Sequence, residues 1–263
     1  MKLKWLLTAA FEILTDDFKI LFDPWISRPP KAIPQLKTQI SDLRDANAIF
    51  LSHGHFDHSA DIPEIVKNTD TKVYCSKQIK DVYLKELKVD EKNLVEIQPS
   101  QIIEFQPDLN VTVIKSQHIQ FDEFVVKKFE LLRTEKLSDA MKNISERSSK
   151  YVMGDVFGFL MEFSNDKKVV HFGSGGYFEE ELKKLPKDID IFLAPVAGRG
   201  DVDKVIAKMA NIFKPKMIIP HHYDDFIPPV TTGGSYFNFD EEVRKVNPNI
   251  AVNKLEHETY YEF

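Results

Sequence analysis

An α/β (α+β) fold, built as a four-layer αββα sandwich, is what this 263-residue chain predicts. Three observations carry that expectation. Short apolar segments alternate with helical ones in two successive runs. Each run reads as a mixed sheet with helices outside it, and strand ends in both runs carry histidine or serine. With 43% apolar residues over this length the chain can bury a large core, and 1–263 is read as a single domain. No sequence repeat is strong enough to establish that the two runs are duplicates.

In order along the chain, residues 3–7, 10–14 and 19–22 read as a β-meander that turns at Asp16-Asp17 and ends in Asp23-Pro24-Trp25. The proline-rich, aperiodic stretch 27–40 reads as an irregular surface loop. Residues 46–51 form an apolar strand, and a helix follows over 61–68 with Pro63 in its first turn. A strand over 72–75 and a helix over 76–87, with Ser76 as its N-cap, come next, then a strand over 111–115 ending in Ser116-Gln117-His118. Residues 121–150 are charged and helical in composition with poor periodicity, and read as an insertion over the core, either a lid or an oligomer contact. Beyond it, 156–163 and 168–172 form a hairpin across Asn165-Asp166. A glycine-rich turn, Gly173-Ser174-Gly175-Gly176, leads into a helix over 177–185, a strand over 189–194, a helix over 201–213 and a strand over 217–220. A helix over 240–246 and short terminal strands complete the chain. His171 and His257 are read as structural residues within strands.

Charge and composition narrow the function classes. A net charge of −6 lacks the basic surplus of a nucleic-acid footprint. No run of about 18 apolar residues occurs, so no membrane-spanning helix is expected. The early lysines are followed by Glu12 and Asp16-Asp17, which interrupt the apolar stretch a secretory signal requires. The single cysteine, Cys75, reads as a buried small hydrophobe in a reducing compartment, hence a cytoplasmic protein. The expected partner is a small-molecule substrate, with a homo-oligomer left open.

The most informative segment is His53-Gly54-His55-Phe56-Asp57-His58, directly after the apolar run Ala48-Ile49-Phe50-Leu51. Three imidazoles and a carboxylate in one loop repel one another once protonated, and their common use is to share a cation. Later strands end in further candidates: His118, Ser174 and His222. This pattern, with the final Pro220-His221-His222-Tyr223, resembles the metallo-β-lactamase superfamily. Trp5-Leu6 and Phe22-Asp23-Pro24-Trp25 narrow the resemblance to its lactonase-like branch, which includes relatives of ascorbate-6-phosphate lactonase.

The resemblance implies the metallo-β-lactamase fold and a metal-dependent hydrolase. His53, His55 and His118 would hold one divalent ion, and Asp57, His58 and His222 a second, with zinc expected and manganese or iron as alternatives. It also implies a metal-activated hydroxide that opens an ester, lactone or phosphodiester of a small molecule, with Asp57 orienting the nucleophile or shuttling a proton. His222 rather than His221 is expected to face inward by strand alternation. Tyr223 and Arg199 are candidate site-lining residues. Two departures qualify the resemblance. Ser174 stands where an aspartate usually bridges both metals, so the second ion should bind more weakly, and Leu7-Thr8-Ala9-Ala10 stands where close relatives often carry Gly-His-Ala-Ser. The alternative function is a catalytically silent metal-binding sensor or assembly partner.

Overall fold

The computed structural model describes residues 1–134, 149–228, 231 and 238–263. The first sheet contains β1 (Lys2–Trp5), β2 (Phe11–Leu14), β3 (Lys19–Phe22), β4 (Ala48–Phe50), β5 (Lys72–Cys75) and β6 (Leu94–Glu96). The second contains β7 (Ile102–Phe105), β8 (Leu109–Ser116), β9 (Val156–Phe163), β10 (Lys168–Phe172), β11 (Ile191–Pro195), β12 (Met217–His221) and β13 (Ala251–Val252). The last strand, β14 (Tyr260–Glu262), returns to pair antiparallel with β1. In each sheet an antiparallel meander passes into parallel pairs. The change comes between β3 and β4 in one sheet and between β10 and β11 in the other.

The period-2 pattern of the strands divides their side chains between layers. Phe157, Phe159, Met161 and Phe163 of β9 enter the core between the sheets, joined by Phe22 of β3 and Phe50 of β4, while Leu160 faces outward. In β11, Ile191 and Leu193 enter the same central core, and Phe192 and Ala194 face the opposite way. There they meet apolar residues of α5 (Glu179–Lys183), α6 (Val202–Phe213) and α7 (Phe239–Val246). On the first sheet, Leu21 and Ile49 pack beneath α2 (Ile62–Ile65) and α3 (Lys77–Lys85). Helix, sheet, sheet and helix form the four layers expected from the sequence.

The differences from expectation are local. A one-turn helix, α1 (Phe56–Ser59), forms inside the histidine loop, and α2 stops at Ile65. Ser76 occupies the N-cap position of α3, yet its hydroxyl makes no capping bond and lies buried without a partner. The strands β6 and β7 were not foreseen, being short and only partly apolar. His171 does lie in β10, but His257 sits in a turn. Within the 121–150 insertion, α4 (Glu123–Thr134) is helical, and the remainder, 135–148, lies outside the described residues. Among the described residues no helix is long and apolar enough to cross a membrane.

Phe159 is fully buried between the sheets, against the rings of Phe22, Phe50 and His171. Truncating it leaves a cavity bounded by both sheets. Phe159→Ala should lower the unfolding free energy by about 3–5 kcal/mol, measured by urea denaturation.

Candidate metal centre

One edge of the sandwich collects the site, because strands running in the same direction end on the same side. β3 and β4 are parallel, and β8, β10 and β12 share one direction through the β9 hairpins and the parallel pairs. The loops after these strands carry Asp23, His53 to His58, His118, Ser174 and His222. His55 takes the extended N-cap conformation of α1, and the single helical turn presents Asp57 and His58 from the same loop.

Two groups of potential ligands result: His53, His55 and His118, and Asp57, His58 and His222. Within each, one ligand atom per residue lies within 4.8 Å of the others. In the first, His53 Nε2 faces His55 Nδ1 at 3.2 Å, and the His118 ring lies 4.7 Å from that of His55. In the second, His222 Nε2 is 3.4 Å from His58 Nε2 and 3.5 Å from Asp57 Oδ2. The rings of His53 and His58, only 4.0 Å apart, join the two groups. A set of three nitrogens beside a set of two nitrogens and one carboxylate oxygen fits two divalent ions of the zinc type.

Hydrogen bonds behind the rings decide which nitrogen faces inward. Asp23, fully buried, accepts from the Ser52 amide at 2.7 Å and the Ser52 hydroxyl at 2.6 Å, and lies 3.0 Å from His58 Nδ1. That hydroxyl therefore offers a lone pair to His53 Nδ1 at 3.0 Å. His118 Nδ1 donates to the Ile119 carbonyl at 2.8 Å. His53, His58 and His118 thus each direct Nε2 into the site, the arrangement by which outer groups orient metal-binding histidines. Asp23, which stands behind the candidate ligands, had no site role assigned from the sequence. Its signal was a carboxylate directly after an apolar strand, where burial demands several donors.

The electrostatics split along the same line. Burial, with help from His58 and His55, holds His53 well below the ordinary imidazole pKa. Burial and His55 lower His118 to about 4. For His58 the burial effect is outweighed by Asp23 and Asp57, and its pKa rises. Burial opposes the Asp57 carboxylate, but His58 and His222 pull it well below the usual carboxylate range.

The other sequence candidates have definite places. Ser174 is buried, and its hydroxyl accepts the Ile119 amide at 3.0 Å, which pins the loop carrying His118. Gly173 beside it has no room for a Cβ, which would collide with Ser52 Oγ and Asp23 Oδ2. Arg199 is tied to Asp201 at 2.6 Å and to the Gln120 carbonyl at 3.2 Å, so it braces the loop just after His118. The Asp201 carboxylate is used in that pair rather than as a cap for α6. Tyr223 packs its ring on Trp5 at 5.0 Å. His221 is fully buried and stacks on His171 at 5.4 Å, while His222 lies past the end of β12 with a positive φ of 65°. The inward turn of His222 is therefore a feature of left-handed backbone, which histidine tolerates better than most residues, and not of strand alternation.

Residues 19–223 match the family model described as "Beta-lactamase superfamily domain". The chain belongs to the metallo-β-lactamase superfamily. Within that superfamily it is similar to a protein of Methanopyrus kandleri named "UPF0173 metal-dependent hydrolase", 28% identical over 262 residues and covering 100% of both chains. A protein of Methanobrevibacter smithii with the same description is 27% identical over 268 residues, covering 100% of this chain and 97% of the other. Among solved structures, a metallo hydrolase from Ignicoccus hospitalis superposes with a TM-score of 0.67 at 20% identity, covering 100% of this chain and 98% of that one. An isothiocyanate hydrolase from Delia radicum gut bacteria gives 0.63 at 16% identity, with 100% and 99% covered. At these identities the structures establish the shared metallo-β-lactamase fold.

As pH falls, His58 takes up a proton before His118 and His53 do, and bound metal must displace that proton. Zinc content, measured by elemental analysis of protein dialysed between roughly pH 8 and 5, should fall in two steps, with the Asp57 group losing its ion at the higher pH. Asp23→Asn removes the charge behind His58 and should weaken zinc binding about 10- to 100-fold at that group, read by competition with a chromogenic chelator.

Proposed function

We propose that the protein is a metal-dependent hydrolase that opens an ester, lactone or phosphodiester of a small molecule. The observation that carries this reading is the pair of three-ligand groups joined through His53 and His58 at one edge of both sheets. His53, His55 and His118 would hold one ion, and Asp57, His58 and His222 the other, with zinc as the metal the donor set suits best. Divalent ions held there supply Lewis acidity and lower the pKa of a coordinated water toward neutrality. The metal-dependent hydrolase names of the Methanopyrus and Methanobrevibacter relatives support the same reaction type.

Each residue then has a task set by its surroundings. The neutral imidazoles of His53 and His118 offer lone pairs to a cation across the physiological pH range. Asp57 stays a carboxylate, and so is able to accept a hydrogen bond from a water and orient it. Phe121 sets its ring edge-on to His118 at 5.7 Å, giving the site an apolar neighbour beside the ligands. Ser174, committed to the Ile119 amide, supplies no carboxylate between the groups, which favours a weaker second ion. The lone thiol of Cys75 is buried and pushed up to about 12 by that burial, which suits a reducing compartment such as the cytoplasm.

The test is a hydrolysis panel of lactones, phosphodiesters, thioesters and β-lactams with zinc-loaded protein, alongside His55→Ala and Asp57→Ala. The wild type should turn over at least one class, and each variant should lose at least about 100-fold in kcat/KM with its circular dichroism unchanged. Activity retained in folded Asp57→Ala overturns the mechanism. A fully loaded wild type inert to the whole panel favours the silent metal-binding sensor.

A further inference from the structure

His222 is held differently from the other candidate ligands. His53, His58 and His118 each have a ring nitrogen hydrogen-bonded behind them, whereas His222 Nδ1 is buried without a partner among the described residues. Its backbone is restrained instead. The His222 amide donates to the Thr8 carbonyl at 2.9 Å, and the same carbonyl accepts the Trp5 indole N–H at 3.1 Å. Thr8 and Leu7, like His222, have positive φ, at 47° and 66°. A tight turn of two non-glycine residues in left-handed conformation needs outside support.

That support comes from a buried ion pair. Asp224 Oδ1 accepts the Thr8 amide at 2.8 Å, and Asp224 Oδ2 lies 2.6 Å from Arg28 Nη1, both side chains being 1% exposed. Arg28 Nη1 also donates to the Thr8 hydroxyl at 3.2 Å. The guanidinium has left water for few bonds, since its Nε and Nη2 are buried with no hydrogen-bond partner among the described residues. A buried cation satisfied on one nitrogen alone is poor packing, which argues that its value lies in the position it fixes.

We propose that Arg28 is a positioning residue for His222: through Asp224 and Thr8 it fixes the His222 backbone and so sets how tightly the Asp57, His58 and His222 group holds its ion. Thr8 stands where the family resemblance expects histidine, so the bracket is built on this chain's own residues. The inference rests on the two-ion reading of the site.

The experiment compares wild type, Arg28→Met, Arg28→Lys and the double variant Arg28→Met/Asp224→Asn, which removes both buried charges together and so protects the fold. Zinc affinity is measured by stepwise calorimetric titration of metal-free protein. The expected result is a second dissociation constant about 10- to 100-fold weaker in Arg28→Met and in the double variant, an unchanged first one, and substantial recovery in Arg28→Lys. Hydrogen exchange of the His222 amide in metal-free protein should quicken at least about tenfold in the same variants, with the Leu193 amide unchanged. Two wild-type affinities in folded variants overturn the inference, as does parallel weakening of both ions, which marks a merely structural role. A wild type that never takes a second ion overturns the two-ion reading, and the inference with it.

Discussion

A carboxylate buried at the junction of the two sheets is the constraint around which the candidate site is built. Asp23 follows β3 with a positive φ of 44° and no solvent exposure, so its charge must be met by protein groups. The Ser52 amide, the Ser52 hydroxyl and His58 meet it. Those contacts lock the end of β3 to the end of β4 and to α1. They also fill the space against which Gly173 of the second sheet packs, so that loop can approach only without a side chain. Through Ser52 the same carboxylate orients His53, and each ligand group thereby has a member referred to one buried charge.

Charge is distributed over the centre unevenly. The first group is all imidazole, set among other imidazoles, and its members are pushed toward the neutral form that binds metal. The second contains the Asp57 carboxylate and lies beside that of Asp23, and His58 is pushed toward protonation. Ser174 adds no charge to either group, since its hydroxyl is spent on positioning the loop after His118. The two halves are therefore unlike in proton affinity although they share an edge.

Topology explains why that edge exists. Each sheet begins as an antiparallel meander and continues as parallel strands, and parallel pairs require crossovers that return the chain to the same side. The ends of β1, β3, β4, β8, β10 and β12 consequently gather together, bringing Thr8, Asp23, the histidine loop, His118, Ser174 and His222 to one place. The two runs that looked alike in the sequence are alike in strand order, although their side chains are not.

Much of this was legible in the chain itself. Short apolar runs located most of both sheets, because one face of each strand had to be apolar for the central core and the other for the helices. The compressed His53 to His58 motif marked the site, because so many imidazoles in one loop have few other uses. Short, half-polar β6 and β7 escaped notice because their strand character comes from pairing with neighbours more than from their residues. Asp23, Ser52 and the Arg28, Asp224 and Thr8 bracket were decided by tertiary structure alone. A carboxylate or guanidinium has no periodic signature, and its role depends on which distant donors burial forces upon it. His222 shows the division most directly: its residue type marked it as a candidate ligand, while its inward direction came from a left-handed backbone step held by a turn more than 200 residues away in sequence.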